Sequence, residues 1–384
     1  MGIRIGIDGL YIIPGEIAGT GSYLMNLIKG LQSVDNENEY FIFATKSNCE
    51  SFNINNKNFK IVICDLDNTI RFNRVLYTST KLPNIIKDNK LDVMFFPTYV
   101  RCIQNLKEIK TISNVHDIQY KHFKENFSFS KRVLFSFTYP LSFKKSDKNI
   151  CISNFVKQDI IENFKNINPK DLKVIYNPID FKKFEKNDNI AFHGFAEKLG
   201  LETNNYVLSV ASLLPHKNIP TLINAFSIYK KRSGNTNTKL VLVGMRDKAT
   251  NDLVKLIATN KIEDSVVIPG FVSDDELSLL YNNACVFVSP SLFEGFGMPP
   301  VEAMYRNIPV ITTKCTSLPE VTMGEVIYYN NPTDADELAK VIEETLDKGF
   351  IYRDDINEVL VEKYSVENAA TRYKKLFEET ALGK

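Results

Sequence analysis

Short apolar runs rich in β-branched residues recur along this chain with helical stretches between them, and that rhythm limits the fold more than any other feature. "IRIGID" (3–8), "YFIFA" (40–44), "KIVIC" (60–64), "DVMFFP" (92–97), "KTISNV" (110–115), "KNICIS" (148–153) and "KVIYN" (173–177) form one series. "YVLSVAS" (206–212), "KLVLVG" (239–244), "SVVIPG" (265–270), "CVFVSPS" (285–291) and "PVITT" (309–313) form a second. Strands that alternate with helices predict parallel sheets covered on both faces. A chain of 384 residues is too long for one ordinary core and reads as two domains. The polar stretch at 177–200 suits a linker with a lead-in helix, which places the domains at 1–180 and 181–364. The tail at 365–384 carries Val366, Ala370, Tyr373 and Phe377 at helical spacing, an apolar stripe for which the first domain is a candidate partner. The expected class is α/β, with two Rossmann-like parallel-sheet domains facing across a cleft and ligands at the carboxyl ends of the strands.

Composition narrows the partners. Apolar residues make up 44% of the chain and charged residues 24%, as in ordinary globular proteins. A net charge of +1 offers no cation excess to displace counterions from phosphates, so no nucleic acid is expected. Cys49, Cys64, Cys102, Cys151, Cys285 and Cys315 have neither metal-ligand nor redox spacing, and no signal peptide precedes Ile3. Reduced thiols in a cytoplasmic protein are expected. No apolar run approaches the roughly 20 residues that cross a bilayer.

The densest chemistry lies in "PSLFEGFGMPPVEAM" (290–304), where Glu294 and Glu302 flank a glycine-rich loop. The preceding run is a predicted strand, so Glu294 falls just past its carboxyl end. Gly295 and Gly297 let the backbone approach a ligand closely or take positive φ. Pro300 suits the first position of a helix, whose amino end offers free N–H groups and partial positive charge to a diphosphate. Glu302 then falls in the first turn, able to accept two hydrogen bonds from a ribose diol. The alternatives are a solvated loop carboxylate for Glu294 and a capping-box role for Glu302, although Gly297, Met298 and Pro299 supply no capping hydroxyl.

"EGFGMPPVE" resembles the E-x7-E signature of retaining family 4 glycosyltransferases, which have the two-domain GT-B fold. Its companions follow in the family's order. "IDGLYIIPGEIAGTGSYLMNLIKGL" (7–31) resembles the glycine-rich first loop and helix, and "NVHDIQYKHF" (114–123) the first domain's histidine loop. "SLLPHKNIPTLINAF" (212–226) is similar to the phosphate-contacting segment, and "GFVSDDELSLLYNNACVFVSPS" (270–291) to the nucleoside pocket. The likeness covers nearly the whole chain and runs closest to the O-antigen and lipopolysaccharide branch, many of whose members are mannosyltransferases.

By position, the resemblance implies that Glu294 hydrogen-bonds hydroxyls of the transferred sugar and Glu302 holds the donor's ribose. Backbone amides around Phe296, Gly297 and Met298 would bind the sugar, and those near Val301 the diphosphate. Lys217, behind Ser212, would neutralise the leaving diphosphate. His116 would face the anomeric centre, Gly19 and Gly21 would bring backbone near the phosphates, and Gly270 and Val272 would flank the base. The donor expected is GDP-mannose or another GDP-sugar, with UDP-sugars as the alternative. The acceptor expected is a saccharide or lipid-linked saccharide of cell-surface polysaccharide synthesis.

Each residue also has a plainer reading. Lys217 could be a solvated lysine, although a cation ahead of a helix start wants an anion nearby. His116 could be a satisfied core histidine, Asp117 a local cap, "GTGSYL" a turn before a helix, and "SDDE" (273–276) only a capping box. The segment before Lys217 reads "ASLLPHK", with His216 and no arginine where the family often has one, and Leu10 stands where arginine often follows "IDG".

The chemistry implied breaks an anomeric C–O bond while negative charge grows on a diphosphate. A fixed lysine and oriented amides can stabilise that charge, and domain closure would exclude water. Asp65 and Asp67 lie far in sequence from the signature and form no DxD metal pair there, so no metal and no cofactor is expected. Front-face attack with retention is expected, not the acid and nucleophile pair of a glycosidase.

At 120–148, lysines and an arginine interleave with many phenylalanines. Such a surface suits peripheral contact with an anionic membrane, or is an ordinary helix with a Phe-rich core face. Three other functions compete. An oxidoreductase is disfavoured, because Leu24 stands where the third glycine of G-x-G-x-x-G belongs and no acid ends the second strand. A catalytically degenerate sugar-nucleotide-binding partner protein and a GT-B epimerase are the remaining alternatives.

Overall fold

The computed structural model describes residues 2–15, 19–98, 106, 108–165, 167–184, 189–234, 237–244, 249–270 and 272–383. It divides into two compact units, Met1–Ile179 with Glu362–Lys384, and Asp180–Val361.

The first unit holds a parallel sheet of β1 (Arg4–Asp8), β2 (Glu39–Ala44), β3 (Phe59–Ile63), β4 (Val93–Phe96), β5 (Lys110–Val115), β6 (Lys148–Cys151) and β7 (Leu172–Val174). Their order is β3-β2-β1-β4-β5-β6-β7. Alternation explains why the runs read as continuously apolar. On β2, Tyr40, Ile42 and Ala44 enter the core on one face, while Phe41 and Phe43 enter a second core on the other. The first face is covered by the helix Gly19–Val34 and by the last helix, Val366–Ala381, whose Ala370, Tyr373 and Phe377 are fully buried there. Ser365 caps that last helix, accepting from the Asn368 N–H at 3.3 Å.

The second unit holds a parallel sheet of β8 (Tyr206–Val210), β9 (Lys239–Val243), β10 (Val266–Gly270), β11 (Val286–Ser289), β12 (Val310–Thr313) and β13 (Ile327–Tyr329), ordered β10-β9-β8-β11-β12-β13. The edge strand β13 is absent from the sequence reading. The capping box at Ser273 and Glu276 is present, with both reciprocal hydrogen bonds. Parts of the expected linker (185–188) and of the first glycine-rich loop (16–18) lie outside the described residues, as do Cys102 and Phe271. Among the described residues, no helix is long and apolar enough to cross a membrane.

Candidate functional site

In the second unit the strand order reverses between β8 and β11, so the loops after those two strands diverge and leave a crevice at their carboxyl ends. The loop after β8 carries exposed Ser212 and then the short turn Pro215–Lys217. The loop after β11 carries Glu294. Lys217 Nζ donates to both Glu294 carboxylate oxygens, at 2.7 and 2.8 Å, and Ser291 Oγ donates to one of them at 2.8 Å. The two side chains are only 19% and 13% exposed, so the pair is largely shielded from solvent. A cation just ahead of the helix Ile219–Ser233 sits against that helix's positive end, and Glu294 supplies the anion its position requires.

Backbone contacts hold the two loops in register. The Leu292 N–H donates to the His216 carbonyl at 2.8 Å, and Asn218 Nδ2 donates to Pro290 at 3.2 Å and to Pro332 at 2.7 Å. His216 is buried, and its ring is pushed down to a pKa of about 4, mainly by burial and then by Lys217. It is neutral at pH 7 and adds no positive charge beside the lysine.

Glu294 is also held by its backbone. Thr316 Oγ1 accepts from the Glu294 N–H at 2.9 Å and donates to its carbonyl at 3.0 Å. Ser317 Oγ contacts the Glu294 and Phe296 carbonyls, both at 2.9 Å. The Phe296 side chain is buried, which leaves its main chain as the part that lines the loop.

The helix here runs Met298–Tyr305, so Pro300 is its third residue and not its first, and Glu302 its fifth, two residues deeper than the sequence suggests. The cause is Gly297, whose φ of 95° ends the loop immediately before Met298. Pro299 and Pro300 carry no N–H, which costs nothing where the helical partners are missing anyway. The outward-directed amides of this helix start are therefore those of Gly297 and Met298, while Val301 is the first whose N–H meets a helical acceptor.

Glu302 faces another set of groups. No hydroxyl caps this helix, so the capping-box alternative falls away. Burial raises the Glu302 carboxyl above its ordinary range, against the pull of Arg306 and the Tyr281 hydroxyl. Arg306 lies between two rings, 3.7 Å from the Phe184 centroid and 4.5 Å from that of Tyr281, and donates to the Glu302 carbonyl at 3.0 Å. Gly270 ends β10 at φ 83°, and Val272 follows it half-buried.

In the first unit, strand order reverses between β1 and β4. Asp8 ends β1 there, buried, and burial raises its carboxyl to about 6 against the Leu10 N–H and Arg74. His116 follows β5. Its Nε2 lies 3.0 Å from the Pro97 carbonyl, and burial lowers its pKa to about 4, so the ring is neutral and donates from Nε2. Asp117 accepts from the Gln119 N–H at 2.9 Å as a local turn. Gly19 and Gly21 lie in the first turn of the helix Gly19–Val34, Gly19 exposed and Gly21 buried. Asp67 is engaged by Thr69 through both N–H and hydroxyl, at 3.0 and 2.6 Å.

Lys217 and Glu294 are thus joined directly, and Glu302 keeps separate company with Arg306 and Tyr281. Ser291, Thr316, Ser317, Asn218, Arg306 and Asp8 were missed. All but Arg306 lie at or just beyond strand ends or in the loops they enter, which was the available signal.

Residues 17–183 match the model of Glycosyltransferase Family 4, and residues 192–362 that of Glycosyl transferases group 1. The chain belongs to the family 4 glycosyltransferases. An uncharacterized glycosyltransferase of Methanocaldococcus jannaschii is 30% identical over 280 residues, 69% of each chain. The O-antigen chain mannosyltransferase RfbU of Salmonella typhimurium is 32% identical over 216 residues, 56% of this glycosyltransferase and 55% of the relative. The chain therefore spans about half the length of that curated relative. A crystal structure of Anabaena HepE in complex with UDP and glucose superposes with a TM-score of 0.75 at 17% identity, covering 98% of this chain and 100% of that one. At that identity the likeness shows the fold, which is GT-B.

Proposed function

We propose that this glycosyltransferase moves a hexose, mannose from GDP-mannose in the first instance, from a nucleoside diphosphate to a hydroxyl of a saccharide or lipid-linked saccharide. The observation that carries this reading is the Lys217–Glu294 pair, set on adjoining loops where the second sheet reverses its order. A donor entering that crevice brings its own anion to Lys217 and frees Glu294 to accept from sugar hydroxyls. The Gly297 and Met298 amides add donors for the diphosphate. Glu302 takes the ribose, and neutral His116 of the first unit hydrogen-bonds the reacting sugar. The Salmonella relative's name supports mannose and O-antigen synthesis.

In the reaction, the anomeric C–O bond to the β-phosphate breaks and the acceptor oxygen bonds the same face of that carbon. The acceptor's proton passes to the departing phosphate oxygen. Charge on the diphosphate is balanced by Lys217 and amides, so the reading includes no metal. The test is donor turnover in EDTA with GDP-mannose and UDP-glucose, followed by proton NMR of the sugar first released. α-Mannose or α-glucose is expected. A β-anomer, or a glycosyl adduct on Glu294 by mass spectrometry, overturns retention by front-face attack.

The proposal extends to the membrane. The helix Phe129–Lys145 buries Phe135, Tyr139 and Phe143 but leaves Phe129 78% and Phe137 73% exposed, beside exposed Val133 and Leu134. Exposed Lys131, Lys144 and Lys145 share that surface. Apolar anchors among cations fit an anionic lipid surface, where a lipid-linked acceptor would be presented.

A further inference from the structure

Two neighbouring hydroxyls in the loop after β12 are committed to the loop that carries Glu294. Thr316 Oγ1 accepts from the Glu294 N–H at 2.9 Å and donates to the Glu294 carbonyl at 3.0 Å. One hydroxyl thus satisfies both main-chain groups of that residue, using its single proton and one lone pair. Ser317 Oγ lies 2.9 Å from the Glu294 carbonyl and 2.9 Å from that of Phe296, with one proton shared between the two.

Neither hydroxyl is where local structure alone would put it. Thr316 has a φ of 55°, in the left-handed region that suits glycine or asparagine and opposes a β-branched side chain. Among the described non-glycine residues with positive φ, Thr316 alone is β-branched. Ser317 stands at the N-cap of the helix Leu318–Val321, with Glu320 at the spacing of a capping box, yet its hydroxyl makes no cap bond. A strained backbone at one residue and a forgone cap at the next have the same outcome, a fixed main chain at Glu294.

That main chain sets where the Glu294 side chain can go. With amide and carbonyl both pinned, the direction of the Cα–Cβ bond is fixed, and the carboxylate reaches Lys217 Nζ and Ser291 Oγ. We propose that Thr316 is a positioning residue for Glu294: its hydroxyl, bonded to both main-chain groups of that residue, aims the carboxylate at Lys217. Its bearing on sugar transfer rests on the role proposed for Glu294, whereas the aim itself does not.

The test is the coupling between Lys217 and Glu294, measured by urea denaturation of Lys217→Met, Glu294→Gln and the double variant. The cycle is run with Thr316 in place and again in three Thr316 backgrounds. Thr316→Val keeps the shape and removes the hydroxyl, Thr316→Gly removes the hydroxyl and relieves the positive φ, and Thr316→Ser keeps the hydroxyl. A hydroxyl that only stabilises the loop lowers every corner of the cycle alike and leaves the coupling intact. The coupling should be largely lost with valine or glycine and kept with serine. Thr316→Gly carries the test if Thr316→Val does not fold. Coupling unchanged in the folded valine or glycine background, or absent already with Thr316 in place, overturns the proposal.

Calorimetry with GDP-mannose against GDP, and UDP-glucose against UDP, tests the link to the sugar. In Thr316→Gly the affinity for the sugar nucleotide should fall relative to that for the bare diphosphate. Equal weakening of both would give Thr316 a general structural role and overturn its part in sugar binding. A wild type that binds neither nucleotide removes the transferase reading, and the coupling cycle then decides Thr316 by itself.

Discussion

Lys217 Nζ sits between the two carboxylate oxygens of Glu294, 2.7 and 2.8 Å away, although 77 residues separate them in the chain. The carboxylate proposed to bind the sugar is thus hydrogen-bonded to the lysine proposed to meet the diphosphate. The two residues are coupled, and their substitutions should not act independently. In a double-mutant cycle of Lys217→Met and Glu294→Gln by urea denaturation, a coupling of about 2 kcal/mol is expected for charged hydrogen bonds at this burial. Additive effects would show that the pair is not formed in solution.

Gly297→Ala tests the backbone at the loop's end. The φ of 95° and a Cβ that would lie 3.0 Å from Leu318 Cδ2 both oppose any side chain. A loss of about 1–2 kcal/mol in unfolding free energy is expected, together with weaker binding of nucleoside diphosphates. Wild-type stability and binding would mean that the loop does not adopt this conformation.

Asp8 predicts a pH dependence. Its folded pKa of about 6 lies above its ordinary value of 3.8, so the folded state holds the proton more tightly and the ionised form is destabilising. That penalty is complete above pH 6 and fades as pH falls toward 3.8. Asp8→Asn, which keeps the acceptor for the Leu10 N–H, should therefore be more stable than wild type at pH 8, with the advantage shrinking by pH 5. His116 and His216, lowered to about 4, act in the opposite direction in wild type and variant alike, losing stability as pH falls below 6.5. Denaturation midpoints of both proteins at the two pH values check this, and an advantage that grows on acidification contradicts it.

Flotation with phosphatidylglycerol vesicles tests the membrane proposal. Wild type should float, and Phe129→Ser/Phe137→Ser should lose binding at any salt concentration. Lys144→Glu/Lys145→Glu should lose it most in low salt, where the electrostatic part is largest. Binding that survives both pairs of substitutions removes the helix Phe129–Lys145 as the anchor.

The strands were legible because burial on both faces turns them into unbroken apolar runs, as in "YFIFA". β13 escaped because Ile327–Tyr329 is a three-residue edge strand with little run to read. Residue type singles out Glu294, Lys217 and Glu302 in the sequence, and the fold brings the first two into contact. The site was not legible where a side chain serves a distant backbone. Thr316 and Ser317 look like ordinary loop residues, yet from the loop after β12 they hold the carbonyls of Glu294 and Phe296. The helix start was misplaced by two residues because proline preference pointed to Pro300, while the positive φ at Gly297 decided it.

The most direct measurement is thermal unfolding of the full chain in EDTA with GDP, UDP or ADP, alongside Lys217→Ala. A diphosphate at about 100 times its dissociation constant adds roughly 2.7 kcal/mol of stability. The account predicts a raised Tm with one base, GDP first and UDP second, and no rise with either in Lys217→Ala. A Tm unmoved by all three nucleotides, or raised equally in the variant, would contradict a donor site at Lys217 and Glu294.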